Sequence, residues 1–217
     1  KVGVVSLGHT VYWGQFPGLK EELSKKSGNF MTYFGENTEV CDIGFADDVP
    51  SAFRLVQKCK KEDLDALFLI MTTYVPSAVA APFAIYLDIP RVLVGIQPLD
   101  KLDYAHTTTY MQLCNDDICA MPEVVGVFER LGADKPYFII GSASEKERIA
   151  EKVALWEKAL AAKAAFRYAT IGYLGHTYEG MYDMNTDPTS FTKTFGSHVE
   201  MLEMCELCAL CEAVTKE

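Results

Sequence analysis

The sequence lacks an apolar run of the roughly 18 residues that a membrane-spanning helix needs. It also lacks any cluster of Lys and Arg, and its 30 acidic and 20 basic residues leave a net charge of -10. Because binding to phosphate groups requires clustered positive charge, nucleic acids and anionic membranes are excluded as partners. The chain opens on a strand-like apolar run without a signal-peptide pattern, so we expect a cytoplasmic protein.

The sequence has no even, regularly spaced set of cysteines, because its 7 cysteines are odd in number and irregularly placed. This pattern argues against a disulfide framework. Cys205, Cys208 and Cys211 are spaced like iron-sulfur ligands, but such clusters normally need a fourth cysteine nearby, and none follows. The three cysteines lie in a helix-forming segment where every third residue falls near one face. We therefore predict buried, reduced helix cysteines.

What the sequence does contain is an alternation of short apolar runs and helical segments, with 49% hydrophobic and 23% charged residues. This alternation predicts the α/β class, with parallel strands joined by crossover helices. Five strands make a doubly wound, flavodoxin- or Rossmann-like sheet. The predicted strands are residues 2–7, 38–43, 66–70, 91–95 and 136–140, and the predicted helices between them are residues 19–27, 49–61, 76–86 and 104–131.

The alternation also predicts how the chain divides. Residues 1–143 form the N-terminal α/β domain, residues 144–165 a bridging helix without Gly or Pro, and residues 166–217 the beginning of a second α/β domain. One β-α-β unit with one further helix cannot cover both faces of a parallel sheet. We therefore expect the second domain to be incomplete in this chain.

Residues 9–18 follow the first predicted strand and carry an imidazole, hydroxyls, an indole, an amide and two glycines. The G-x-G-x-x-G spacing of a dinucleotide site is absent. Aromatic faces with amide and hydroxyl groups suit a polyhydroxylated ligand, whose C-H faces stack on rings. Alternatively, Tyr12, Trp13 and Phe16 fasten the loop to the core and His9 caps the first helix. The residue pattern leaves both interpretations open.

Three other segments carry polar residues, each with a structural alternative. Hydroxyls of residues 72–77 follow the third strand and could bind an anion or cap the next helix. The Asn115–Asp117 segment suggests a metal, but its consecutive acids point in different directions, so a cap or turn is favoured. Residues 175–183 include His176, yet a divalent site needs more ligands than this segment offers. Leu-Gly-His-Thr occurs after the first strand of each predicted domain, which places the same residues at the ligand side of both sheets.

Together these loops resemble the L-arabinose and L-fucose isomerase family, and we identify the chain from them as the N-terminal portion of a divergent branch. The resemblance spans nearly the whole chain and rests on residues 8–20, 73–76, 115–117 with 121–123, 175–183 and 195–196. Family members are about twice as long as this chain, with three domains and the metal ligands in the later portion.

The resemblance implies a metal-dependent aldose-ketose isomerase, an intramolecular oxidoreductase of carbohydrate metabolism that uses Mn²⁺ held by ligands outside this chain. It implies a homo-oligomer in which the first domain of one subunit contributes sugar contacts to a neighbour's active site. The sugar-contacting residues would be His9, Tyr12, Gln15, Tyr74 and Met181, with no catalytic or metal-binding residue in this chain, so we expect the fragment alone to be inactive. The alternative is a non-catalytic sugar-binding or regulatory α/β module.

Overall fold

The computed structural model describes residues 1–214. Contacts divide the chain into two compact units, Lys1–Glu157 and a second unit that begins at Lys158. The predicted boundaries at residues 143 and 165 are boundaries between separately folding domains. This division into domains stays a prediction.

The first unit is built on a parallel sheet of five strands in the order β2-β1-β3-β4-β5. The predicted α/β class with a doubly wound parallel sheet is therefore confirmed. Its strands are β1 (Val2–Leu7), β2 (Val40–Ala46), β3 (Ala66–Met71), β4 (Arg91–Gln97) and β5 (Tyr137–Ser142). Its helices are α1 (Leu19–Met31), α2 (Val49–Lys61), α3 (Ser77–Ile85), α4 (Thr109–Cys114), α5 (Met121–Arg130) and the start of α6 (Lys146–Arg167).

Two of the inner strands, β1 and β3, explain why helices cover both faces of the sheet. Every residue of β1 and β3 is buried, and neither strand contains a charged residue. Phe68 points to one face, where its ring contacts Phe30 of α1 and Trp156 of α6. Leu67 and Leu69 belong instead to the core cluster that α2, α3 and α5 share. Alternating side chains of one strand thus meet two different helix layers, as a doubly wound sheet requires.

The strand order creates a switch point between β1 and β3. β1 lies between β2 and β3. The chain leaves β1 through α1 on one face of the sheet and leaves β3 through α3 on the other, so the two helices that follow these strands lie on opposite faces. Open α/β sheets bind ligands in the crevice that forms at such a point.

The predicted single helix over residues 104–131 is wrong, because the structure has two shorter helices, α4 and α5, separated by residues 115–120. The side chain of Asn115 ends α4 by accepting a hydrogen bond from the backbone N–H of Leu99 at 2.9 Å. The Asp117 carboxylate turns inward to Lys26. These two contacts compete with continued helical hydrogen bonding, and Asn115 acts as the turn residue that the sequence favoured.

The second unit contains a two-stranded parallel sheet, β6 (Thr170–Leu174) and β7 (His198–Leu202), connected through α7 (Pro188–Phe195) and followed by α8 (Met204–Ala213). The predicted burial of Cys205, Cys208 and Cys211 is wrong, since all three are exposed and free. The described part of this unit supplies only two strands. So narrow a sheet offers little surface against which α8 can bury its cysteines.

Helix α6 is 22 residues long and begins in the first unit. Charged side chains occur along its whole length, from Lys146 to Arg167. Among residues 1–214, no helix combines the length and the apolar character that crossing a bilayer requires.

Candidate functional site

Two loops meet at the carboxyl ends of β1 and β3. The backbone N–H and the hydroxyl of Thr72 both donate to the carbonyl of Leu7, at 3.1 Å and 2.7 Å. Thr72 is fully buried. These bonds fix the start of the β3–α3 loop against the end of β1, so residues that follow either strand lie close together.

Three rings from these loops form a cluster. His9 lies edge-on to Tyr12, with ring centroids 5.2 Å apart, and edge-on to Tyr74, at 6.3 Å. All three side chains are partly exposed. The imidazole nitrogens and phenol hydroxyls can donate or accept hydrogen bonds, and the ring faces can stack on an apolar surface. We call His9, Tyr12, Tyr74 and their neighbour Glu123 the switch-point site.

Glu123, in the first turn of α5, holds the third ring in place. Its carboxylate accepts hydrogen bonds from the Tyr74 hydroxyl at 3.1 Å and from the backbone N–H of Ser77 at 2.8 Å. The Ser77 hydrogen bonds lower the pKa of Glu123, while the hydrogen bond to Glu123 raises the pKa of Tyr74. The carboxylate therefore stays ionised and the phenol stays protonated. The sequence analysis included Glu123 only in the 121–123 segment of the family resemblance and gave it no role, because no spacing pattern relates it to residues 46 and 49 positions earlier.

The loop after β1 is fastened by Trp13 and Asp47. The indole N–H of Trp13 donates to Asp47 at 2.8 Å, and the Lys20 ammonium donates to the same carboxylate oxygen at 2.6 Å. These hydrogen bonds from Lys20 and Trp13 lower the pKa of Asp47 despite its partial burial. The Trp13 ring packs edge-on against Phe45 at 5.8 Å. Trp13 thus has the fastening role that the sequence left open, whereas the His9 side chain makes no capping hydrogen bond.

Gly8 allows this packing, and we expect Gly8→Ala to lower the free energy of unfolding by about 1 to 3 kcal/mol through overpacking. A Cβ at Gly8 would lie 2.6 Å from the Phe45 ring and 3.1 Å from the Trp13 ring. The matched control is Gly14→Ala in the same loop, where a Cβ meets nothing within 4 Å. Urea unfolding of both variants measures the difference, and equal stabilities would contradict the argument.

Two further residues, Gln15 and Met181, were predicted to contact sugar. Gln15 is exposed, and its amide donates to the carbonyl of Val11 at 2.9 Å, within its own loop. Met181 belongs to the second unit, where it is 47% exposed and precedes a short 3-10 helix. The structure thus brings His9, Tyr12 and Tyr74 together and leaves the proposed roles of Gln15 and Met181 as predictions.

The second Leu-Gly-His-Thr segment also follows a strand, but its local structure differs from the first. Gly175 has a φ of +83°, in the left-handed region that favours glycine. Gly8 is needed for a different reason, because a Cβ there would clash with the Phe45 ring. His176 lies 3.5 Å from the Glu203 carboxylate and lines a pocket of about 190 Å³. Within residues 1–214, no three side chains of His, Cys, Asp or Glu are grouped so that they could hold a metal ion.

A second feature of the first unit is a buried ion pair beside a cleft. The Lys26 ammonium donates to both carboxylate oxygens of Asp117, at 2.6 Å and 2.7 Å, and to the carbonyls of Thr72 and Cys114. The Asp117 side chain is 1% exposed and that of Lys26 12%. The pair lines a cleft of about 460 Å³ that we call the α1–α6 cleft; its other lining residues include Phe30, Tyr33, Ile70, Ile96 and Lys146.

The sequence singled out Asp117 as a cap or turn residue, with a metal site as the alternative, and gave no signal for Lys26. The two residues are 91 positions apart, and Lys26 lies in a helix with other lysines, so its burial has no counterpart in the local pattern. Burial raises the pKa of Asp117 to about 7 even though Lys26 opposes the shift. Burial also lowers the pKa of Lys26.

Comparison with known proteins identifies no family. No family model matches the chain, and no curated protein matches it. Among solved structures, the chain is similar to a carbohydrate acetylesterase from Sinorhizobium meliloti, with 13% sequence identity and a TM-score of 0.37 over 74% of this chain and 100% of that chain. A likeness this slight carries no argument about activity.

These findings correct the predicted family. The assignment to the L-arabinose and L-fucose isomerases is wrong, because a resemblance over nearly the whole chain should produce a match to a family model or a curated relative, and neither exists. The predicted aldose-ketose isomerase activity depended on the family alone, so it is wrong as well. The sugar ligand, the manganese cofactor and the homo-oligomer are untested and stay predictions.

Proposed function

We propose that the first unit binds a small polyhydroxylated molecule, a sugar or a sugar derivative, at the switch-point site. One observation carries this proposal: His9, Tyr12 and Tyr74 come from two loops and converge at the carboxyl ends of β1 and β3, with ring centroids at 5.2 Å and 6.3 Å. This is the position where open α/β sheets bind ligands.

The chemistry of the four side chains suits such a molecule. The aromatic rings offer faces for the C-H side of a sugar ring. The Tyr74 phenol and the imidazole supply hydrogen-bonding groups, while Glu123 offers a carboxylate that remains ionised. Because Glu123 also holds the Tyr74 ring, the site is partly organised before a ligand arrives, which lowers the entropic cost of binding.

We further propose that the protein works in the cytoplasm. All 7 cysteines are free, and Cys119, Cys205, Cys208 and Cys211 are exposed. Exposed thiols persist in reducing compartments, whereas oxidising compartments favour disulfides.

The proposal predicts that His9→Ala and Tyr12→Phe each weaken sugar binding by roughly threefold to tenfold, since one lost hydrogen bond is worth about 0.5 to 1.5 kcal/mol. Calorimetric titration with a panel of aldopentoses and aldohexoses measures the affinity. The matched controls are His106→Ala and Tyr104→Phe, two exposed residues of another loop, with the His106 side chain 82% and Tyr104 93% exposed. Absence of binding by the unaltered protein, or equal losses in the control variants, would disprove the proposal.

A further inference from the structure

The α1–α6 cleft lies at the carboxyl side of the sheet and is separate from the ring cluster. Its floor contains apolar side chains of Phe30, Ile70 and Ile96, and its volume is about 460 Å³. Pockets of roughly 300 to 1,000 Å³ are typical of small-molecule sites. The cleft is therefore large enough for a small organic molecule with an apolar part.

The ionisable side chains that line the cleft are mainly positive. Lys26 and Lys146 oppose a single carboxylate, that of Asp117, in a protein whose net charge is -10. Lys146 is exposed at the first position of α6, and the neighbouring carboxylate of Glu145 is already paired with Arg148 at 2.7 Å. The Lys146 ammonium is thus available to a ligand.

The Lys26 ammonium of the buried pair is the second positive group in the cleft. The Asp117 carboxylate is held by the Lys26 ammonium on both oxygens. If an anion attracts that ammonium, Asp117 loses its counter-charge while it remains 1% exposed. A buried carboxylate without a partner takes up a proton, because burial disfavours its charged form.

We propose that the α1–α6 cleft binds a small organic anion with an apolar part, and that Asp117 takes up a proton when the anion binds. The acid group contacts Lys146 and Lys26, and the apolar part lies on Phe30, Ile70 and Ile96. The proton comes from solvent and forms the O–H bond of the Asp117 carboxyl, and no bond within the anion changes.

The pKa of Asp117, about 7, places this protonation near neutral pH. The titratable groups that face the pair are Lys26 on α1, Cys114 at the end of α4 and Asp116 in the following loop, and Lys146 lines the same cleft from α6. Asp116 raises the pKa of Asp117 and Lys26 opposes it. An anion that weakens the contact with Lys26 should therefore raise the pKa of Asp117 further.

Phenyl phosphate is a suitable probe, because phenol and inorganic phosphate present its two halves separately. We expect phenyl phosphate to bind at least tenfold more tightly than either half. Affinity should rise between pH 8 and pH 6, and calorimetry in two buffers of different ionisation enthalpy should show proton uptake. Phenyl phosphate itself takes up a proton near about pH 6, so benzenesulfonate, which remains fully ionised throughout this range, is titrated alongside it. Proton uptake with benzenesulfonate then belongs to the protein.

Lys146→Gln should weaken binding by about tenfold, and this exposed substitution should leave the fold intact. The matched control is Lys158→Gln, an exposed lysine of α6 that does not line the cleft, which should leave affinity unchanged. The proposal is overturned if no aromatic anion binds, if Lys146→Gln binds as tightly as the unaltered protein, or if benzenesulfonate binds without proton uptake.

Discussion

Asp117→Ala should lower the free energy of unfolding by about 3 to 5 kcal/mol, among the largest effects of any single substitution in the first unit. The substitution leaves the Lys26 ammonium with only two partners, the carbonyls of Thr72 and Cys114. Lys26 is 12% exposed, so water cannot easily replace the missing carboxylate. The cost reflects a buried charge without a counter-ion, which exceeds the net stability that the intact pair supplies.

Two further variants separate that cost from the loss of packing. Lys26→Met removes the charge and retains a similar side-chain length, yet it leaves Asp117 unpaired, so it should also destabilise the protein. The double variant Lys26→Met with Asp117→Leu should be less destabilised than the sum of the two single changes, because neither charge remains buried. Urea unfolding of the unaltered protein, both single variants and the double variant completes the cycle, and additive losses would show that the pair is not coupled.

The pKa of Asp117 also predicts how stability depends on pH. Its value in the folded protein, about 7, lies above the ordinary value of 3.8. Between these values the folded state binds more protons at this residue than the unfolded state does. Titration of Asp117 should therefore lower the free energy of unfolding as the pH rises from about 4 through 7, and urea unfolding at a series of pH values measures this fall.

The sheet could be predicted from the sequence because its strands are short, apolar and separated by helical segments. The predicted bounds of β1 and α2, residues 2–7 and 49–61, agree with the structure. β1 and β3 are buried on both faces, so each appears in the sequence as a continuous apolar run without alternation. Such runs are local features, and their meaning does not depend on residues far away in the chain.

The contacts of the candidate sites are the part that sequence could not supply. His9 and Tyr12 follow β1 directly, so their position at the ligand side could be expected from topology. Glu123 and Lys26 contribute through partners 49 and 91 positions away, and no local pattern contains that information. The break between α4 and α5 had a local signal in the Asn115–Asp117 segment, where a cap or turn was favoured, but the contacts with Leu99 and Lys26 that complete the break are not local.

Phe68→Ala should lower the free energy of unfolding by about 3 to 5 kcal/mol, as expected when a large core aromatic is removed. Phe68 is fully buried in the centre of β3. Its ring contacts Phe30 at 5.6 Å, Phe34 at 5.1 Å and Trp156 at 6.1 Å between centroids. The substitution therefore removes the contact that α1 and α6 share on one face of the sheet, and it leaves a cavity that rigid neighbouring strands cannot close.

The matched control is Phe138→Ala on the edge strand β5, where the side chain is 44% exposed and the loss should stay below about 1.5 kcal/mol. Guanidinium unfolding followed by tryptophan fluorescence is suited to the comparison, because Trp156 lies on the affected face and contacts Phe68 directly. Phe68→Leu should recover part of the loss, since it refills much of the cavity. A Phe68→Ala variant no less stable than Phe138→Ala would show that the α1 and α6 layer does not depend on this ring.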